Sequence, residues 1–66
     1  MRELKRELWP HRIRLNTNET YDIEVWLGEN MGAFRGRWNV VYKYGHCDYY
    51  FRNGQDVTLF SLRWSN

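Results

Sequence analysis

The segment 36–52 constrains the fold more than any other part of this chain. Apolar or aromatic side chains occupy alternate positions on both sides of Gly45-His46. Such alternation is typical of strands with one buried face, and a two-residue loop that begins with glycine is typical of a tight hairpin. We therefore predict an antiparallel hairpin of strands 37–44 and 47–52. The predicted cross-strand pairs are Tyr44–Cys47, Tyr42–Tyr49, Val40–Phe51 and Lys43–Asp48.

Three further elements flank this hairpin. Residues 11–15 alternate as a half-buried strand. A helix follows, capped by Thr17 or Asn18 and ending between Gly28 and Gly32. A last helix starts at the cap residue Asn53 and has the core stripe Val57, Phe60 and Trp64. The order β-α-β-β-α and the right-handed crossover rule predict an α+β fold. Its three-stranded antiparallel sheet has the order 1-3-2, with two helices packed on one face.

The length and the cysteine content limit the class of protein. Sixty-six residues make a single small α+β domain, 1–66, in which 1–9 form a helical or flexible N-terminal segment. The lone Cys47 excludes an intramolecular disulfide. No apolar run reaches the roughly 20 residues that span a bilayer, and the charged N-terminal residues do not resemble a signal segment. We expect a cytoplasmic protein that does not associate with membranes.

Catalytic and metal-binding motifs are not recognisable in the sequence. His11, His46, Cys47 and Asp48 are the residue types that bind zinc, but their spacing does not supply four ligands. The predicted core is one thin layer, in which a substrate pocket of roughly 300 Å³ is hard to build. We therefore expect no enzyme, no catalytic residue, no cofactor, no metal and no small-molecule substrate.

Apolar residues outside the predicted core point to a protein partner. Twelve of the 66 residues are aromatic, more than a domain of this size can readily bury. Leu59 and Leu62 lie off the core stripe of the last helix, and a helix that is apolar all round is normally buried on more than one side. The N-terminal segment could cover this second side, or the side could remain exposed for a partner. The predicted partner-binding residues are Leu59, Leu62, Trp9 and Phe34.

A basic sheet face suggests an alternative function. If both helices cover one face, the other displays several cations and one acid, Asp48. Arginines beside an exposed tyrosine can bind phosphates and stack on bases. Charged residues on an exposed strand face are also common without any ligand. The predicted nucleic-acid-binding residues are Arg12, Arg14, Arg37, Lys43, Tyr50 and Arg52.

The C-terminal half resembles a group of small phage proteins. Tyr49-Tyr50-Phe51, Asn53 and the run 56–64, with its Phe-x-Leu-basic-Trp ending, are similar to the ends of small uncharacterised proteins of tailed phages that infect marine cyanobacteria. Trp26 and Glu29-Asn30 are similar as well. The resemblance implies a protein of the infected host cytoplasm and supplies no active site.

These observations favour a non-enzymatic protein-binding module. Following the resemblance, we expect a phage-encoded regulator whose partner is a host factor or a second copy of the chain. The alternative is a single-stranded RNA- or DNA-binding protein that uses the basic sheet face.

Overall fold

The structure is a computed structural model that describes residues 7–64. The five elements are β1 (His11–Leu15), α1 (Tyr21–Met31), β2 (Trp38–Lys43), β3 (His46–Phe51) and α2 (Gly54–Trp64). The strands form one antiparallel sheet in the order β1-β3-β2. The α+β class, the element order and the strand order predicted from the sequence are confirmed.

Both helices pack on the same face of the sheet. The buried residues of α1 and α2 form a single cluster with alternate residues of the strands. Phe60 of α2 lies at its centre, with its ring 5.0 Å from that of Phe51 and 5.3 Å from that of Tyr49. Trp26 of α1 contacts the same ring edge-on at 6.1 Å. The core cluster consists of Leu15, Ile23, Leu27, Met31, Trp38, Val40, Cys47, Tyr49, Phe51 and Phe60.

The hairpin register differs from the predicted one by two residues. The loop is Tyr44-Gly45, and Lys43 pairs with His46. Gly45 adopts a φ of 83°, so the left-handed position is the second residue of the loop and not the first. A shift of two residues leaves every side chain on its predicted face, but it separates Lys43 from Asp48.

The first helix begins later than predicted. Its N-cap is Thr20, whose side chain makes no capping hydrogen bond. Thr17, predicted as a cap, lies before the helix, and its Oγ1 accepts a hydrogen bond of 3.0 Å from the amide of Glu19. The helix ends at Met31 and is followed by Gly32 with a φ of 89°, a value that glycine adopts without steric cost.

A short loop with a defined conformation joins α1 to β2. The indole Nε1 of Trp38 donates a 3.0 Å hydrogen bond to the carbonyl of Gly32. The amide of Arg35 donates one of 2.9 Å to the carbonyl of Trp38. Arg35 has a φ of 74°, which is costly for a residue with a Cβ. These contacts fix the loop and present Phe34 at the surface.

The second helix is tied to the sheet through its first turn. The carbonyl of Asn53 accepts a hydrogen bond of 3.2 Å from the amide of Asp56. The Asp56 carboxylate is also held by the sheet. It is buried and accepts two hydrogen bonds from Arg37, at 2.6 Å and 3.1 Å. This ion pair holds the start of α2 beside the start of β2.

The predicted N-terminal segment is described only in part. Residues 1–6 lie outside the described residues, and residues 7 and 8 form a turn. Trp9 is buried, with only 6% of its surface exposed. The Arg52 guanidinium lies over its ring at 4.5 Å from the centroid. The chain before β1 is therefore anchored to the residue that follows β3.

Candidate interaction surface

The outward side of α2 exposes two leucines one turn apart. Leu59 is 43% exposed and Leu62 is 81% exposed, while Phe60 between them is fully buried. Single exposed leucines are common on protein surfaces, but residues at i and i+3 of a helix lie on adjacent parts of one side. Leu59 and Leu62 therefore form one apolar strip. Both predicted positions are on the surface.

The neighbouring helix continues this surface with apolar and acidic residues. Val25 of α1 is exposed, and Asp22 and Glu29 are exposed on the same side, one turn before and after it. Both helices lie on one sheet face and meet through Trp26 and Phe60, so their outward sides face the same direction. We call this combined area the helix surface. It comprises Asp22, Val25 and Glu29 of α1 with Leu59, Leu62 and Arg63 of α2.

The other two predicted partner-binding residues do not belong to the helix surface. Phe34 is about half exposed, in the loop before β2, and packs edge-on against Trp38 at 5.4 Å between ring centroids. Trp9 was expected at the surface, but the structure places it inside, beneath the Arg52 guanidinium. The burial of Trp9 has no local signal in the sequence, because the contact with Arg52 depends on where β3 ends.

The sheet face opposite the helices is less open than predicted. Asp48, on the central strand, is only 1% exposed, and Asn39 on β2 is also buried. Arg14 of β1 lies across Asp48 and donates hydrogen bonds of 2.8 Å and 3.4 Å to its two carboxylate oxygens. Hydrogen bonding from Arg14 lowers the pKa of Asp48. Asp48 thus pairs with Arg14 on β1, and the predicted pairing with Lys43 is wrong.

The cations of the predicted nucleic-acid face are divided among different contacts. Arg14 and Arg37 are committed to buried carboxylates, and hydrogen bonding from Arg37 lowers the pKa of Asp56. Arg52 stacks on Trp9. Arg12 and Lys43 are exposed and Tyr50 is half buried. The structure therefore places Arg12 beside Tyr50 in the sheet register, while Arg14, Arg37 and Arg52 are held by contacts within the fold.

One polar cluster connects α1 with the sheet. The Glu24 carboxylate accepts hydrogen bonds from the phenols of Tyr42 at 2.6 Å and Tyr49 at 3.4 Å. Partial desolvation of the phenol and the hydrogen bond to Glu24 raise the pKa of Tyr42 to about 12, although 58% of the residue's surface remains exposed. Burial also raises the pKa of Tyr49. Both phenols are thus held in the neutral form, in which they serve as hydrogen-bond donors to the helix.

The cysteine lies beside this cluster and has the environment of a core residue. Cys47 is fully buried, and its thiol donates a 3.3 Å hydrogen bond to the carbonyl of Thr17. Burial raises the pKa of this thiol. A reactive cysteine needs a lowered pKa and access to solvent, so Cys47 has neither property of a nucleophile.

Within 7–64, no three His, Cys, Asp or Glu side chains group together as metal ligands. In the same range, no helix has both the length and the apolar character needed to cross a membrane.

Comparisons with known proteins identified no relative of this chain. No protein-family model matches the chain, no curated protein matches its sequence, and no solved structure matches its fold.

The sequence did not indicate the long-range polar contacts. Arg14 and Asp48 are 34 positions apart, and Arg37 and Asp56 are 19 apart. The sole signal available was an isolated acid, Asp48, within a strand otherwise rich in aromatic residues. A charge at such a position is rarely buried without a partner, which would have favoured a neighbouring arginine.

Proposed function

We propose that this chain is a non-enzymatic protein-binding module whose contact area is the helix surface. The observation that carries the proposal is the exposure of Leu59 and Leu62, one turn apart on α2. Removing a leucine side chain from water contributes about 1.5–3 kcal/mol. Because Leu62 is 81% exposed in the described fold, most of this free energy is still available when a partner buries it.

The chemistry around Cys47 and Glu24 supports the non-enzymatic part of the proposal. The thiol and both nearby phenols have raised pKa values, and each is used as a structural hydrogen-bond donor. The finer proposal, a phage-encoded regulator of a host protein acting in the host cytoplasm, is supported by the sequence resemblance alone.

Capture from a lysate of a candidate host tests the proposal. Tagged wild-type protein and a tagged Leu62→Glu variant are compared, with an untagged copy of the chain added to the lysate. Tyr44→Glu is the matched control, because Tyr44 is a fully exposed aromatic residue at the hairpin loop, outside the helix surface. Leu62→Ala, a milder change, guards against a variant that unfolds.

The expected result is that wild-type protein and Tyr44→Glu both retain the same protein, a host protein or the untagged copy, after nuclease treatment. Leu62→Glu loses it while its thermal unfolding is unchanged, and Leu62→Ala retains less of it. Equal retention by all four proteins would overturn the proposal. Recovery of nucleic acid alone, lost when Arg12 and Lys43 are replaced, would overturn it in favour of the nucleic-acid alternative.

A further inference from the structure

The outward sides of the two helices carry apolar groups that the described fold leaves unused. Leu59 and Leu62 on α2 and Val25 on α1 are all exposed. Each helix also buries its opposite side in the core, through Leu27 and Phe60 respectively. The helix α2 therefore has a second apolar side that is open to a partner, and α1 contributes Val25 beside it.

The exposed charges of the two helices are opposite in sign. Residues 16–34 contain four acids and no base, and Asp22 and Glu29 are exposed on the outward side of α1. The only acid of α2 is Asp56, which is buried against Arg37, whereas Arg63 is exposed. Within the described residues Arg63 forms no salt bridge. It stacks on Trp64, with the guanidinium 4.1 Å from the ring centroid.

The two helices begin at opposite ends of the sheet. The residues just before α1 contact the Lys43–Cys47 end, through Asn18 and Thr17. The first turn of α2 lies at the other end, where Asp56 contacts Arg37. The helices consequently run in opposite directions over the sheet, and the last turn of α2 lies at the same end as the first turn of α1.

We propose that the partner of the helix surface is a second copy of this chain, in a two-fold symmetric dimer. The inference rests on the proposed function and names its partner. The two-fold axis lies in the interface, parallel to the helices and midway between them. It places α1 of each copy over α2 of the other. Arg63 of each copy then faces Asp22 of the second copy, and the leucines face Val25. Two-fold contacts require a self-complementary surface, which the opposite charges of α1 and α2 supply.

The size of the molecule makes this a weak dimer. Its two longest dimensions are 27 Å and 25 Å, so one face is smaller than the roughly 800 Å² per partner of a standard interface. The dimer is therefore expected to dissociate in the micromolar range or above.

Sedimentation equilibrium from micromolar to millimolar concentration tests the dimer, with a charge-reversal cycle to locate it. Asp22→Lys and Arg63→Glu each place like charges in contact twice per dimer, and each is expected to raise the dissociation constant about tenfold. The double variant restores opposite charges and returns it to near the wild-type value. Leu62→Glu raises it by more than roughly a hundredfold. Arg12→Glu, on the opposite sheet face, leaves it unchanged.

A wild-type chain that stays monomeric at millimolar concentration would overturn the dimer. A double variant no tighter than the single variants would overturn the proposed helix pairing. The proposed function can fail separately: a monomeric chain that still retains another protein through Leu62 keeps the binding function and loses only the second copy as its partner. Circular dichroism of each variant verifies that the fold is intact.

Discussion

The ion pair between Arg37 and Asp56 gives a prediction about stability that follows directly from the geometry. Arg37→Met removes both hydrogen bonds to the Asp56 carboxylate, at 2.6 Å and 3.1 Å. The aspartate side chain is only 5% exposed, whereas the arginine is half exposed. The variant thus leaves a nearly buried charge without its partner, at the point where α2 begins.

The expected loss follows from the degree of burial. Leaving one member of a fully buried pair alone costs about 3–5 kcal/mol, and losing a hydrogen bond to a charged group costs about 1.5–3 kcal/mol. Because solvent reaches the arginine side, we expect a loss of about 2 kcal/mol. For a domain of this size that lowers the melting temperature by roughly 8–16 °C. Arg12→Met, at an exposed strand position, should change stability by less than about 0.5 kcal/mol.

Urea unfolding followed by circular dichroism measures these differences. A double-mutant cycle with Asp56→Asn separates the pair from each residue's other contacts. The expected coupling energy exceeds about 1 kcal/mol, because the cost of each single change includes the stranded partner. Additive losses, or a loss for Arg37→Met no larger than that for Arg12→Met, would refute the assignment of this pair as the anchor of α2.

Three other predictions concern pH and backbone conformation. Asp48 and Asp56 have lowered pKa values in the folded state. Their contribution to the free energy of unfolding is therefore complete above pH about 4 and is lost as the pH falls further. Asp48→Asn should flatten the acid limb of a stability–pH curve. Tyr49 has a raised pKa, so its contribution to the free energy of unfolding is complete below pH about 10 and is lost as the pH rises. Tyr49→Phe should flatten the alkaline limb of the same curve. An unchanged limb would contradict the role of burial at Tyr49. Gly45→Ala should destabilise by about 1 kcal/mol because of the positive φ, whereas Gly28→Ala, in open space on α1, should stabilise by about 0.5–1 kcal/mol in thermal unfolding.

Alternation and turn residues were sufficient to predict the arrangement of the elements. The period-2 pattern placed Val40, Tyr49 and Phe51 on the buried sheet face, and the right-handed crossover rule specified the strand order. These features are local in sequence or follow from chain connectivity, which is why they can be predicted without coordinates.

The details that depend on tertiary contacts were not predictable in this way. Tyr44-Gly45 and Gly45-His46 are both acceptable two-residue loops, and they differ only in which position takes the positive φ. The burial of Trp9 depends on the position of Arg52, far along the chain. For the candidate surface, the exposure of Leu59 and Leu62 agrees with their position off the core stripe, but the acidic side of α1 beside them emerged only once both helices were placed.

A concentration series of amide chemical shifts tests most directly whether the helix surface is where this chain associates. As the concentration rises into the millimolar range, we expect shift changes on α1 around Val25 and on α2 around Leu62. The amides of Arg12 and Arg14 on β1 should stay constant. Changes confined to β1, or no concentration dependence on either helix, would contradict self-association through the helix surface.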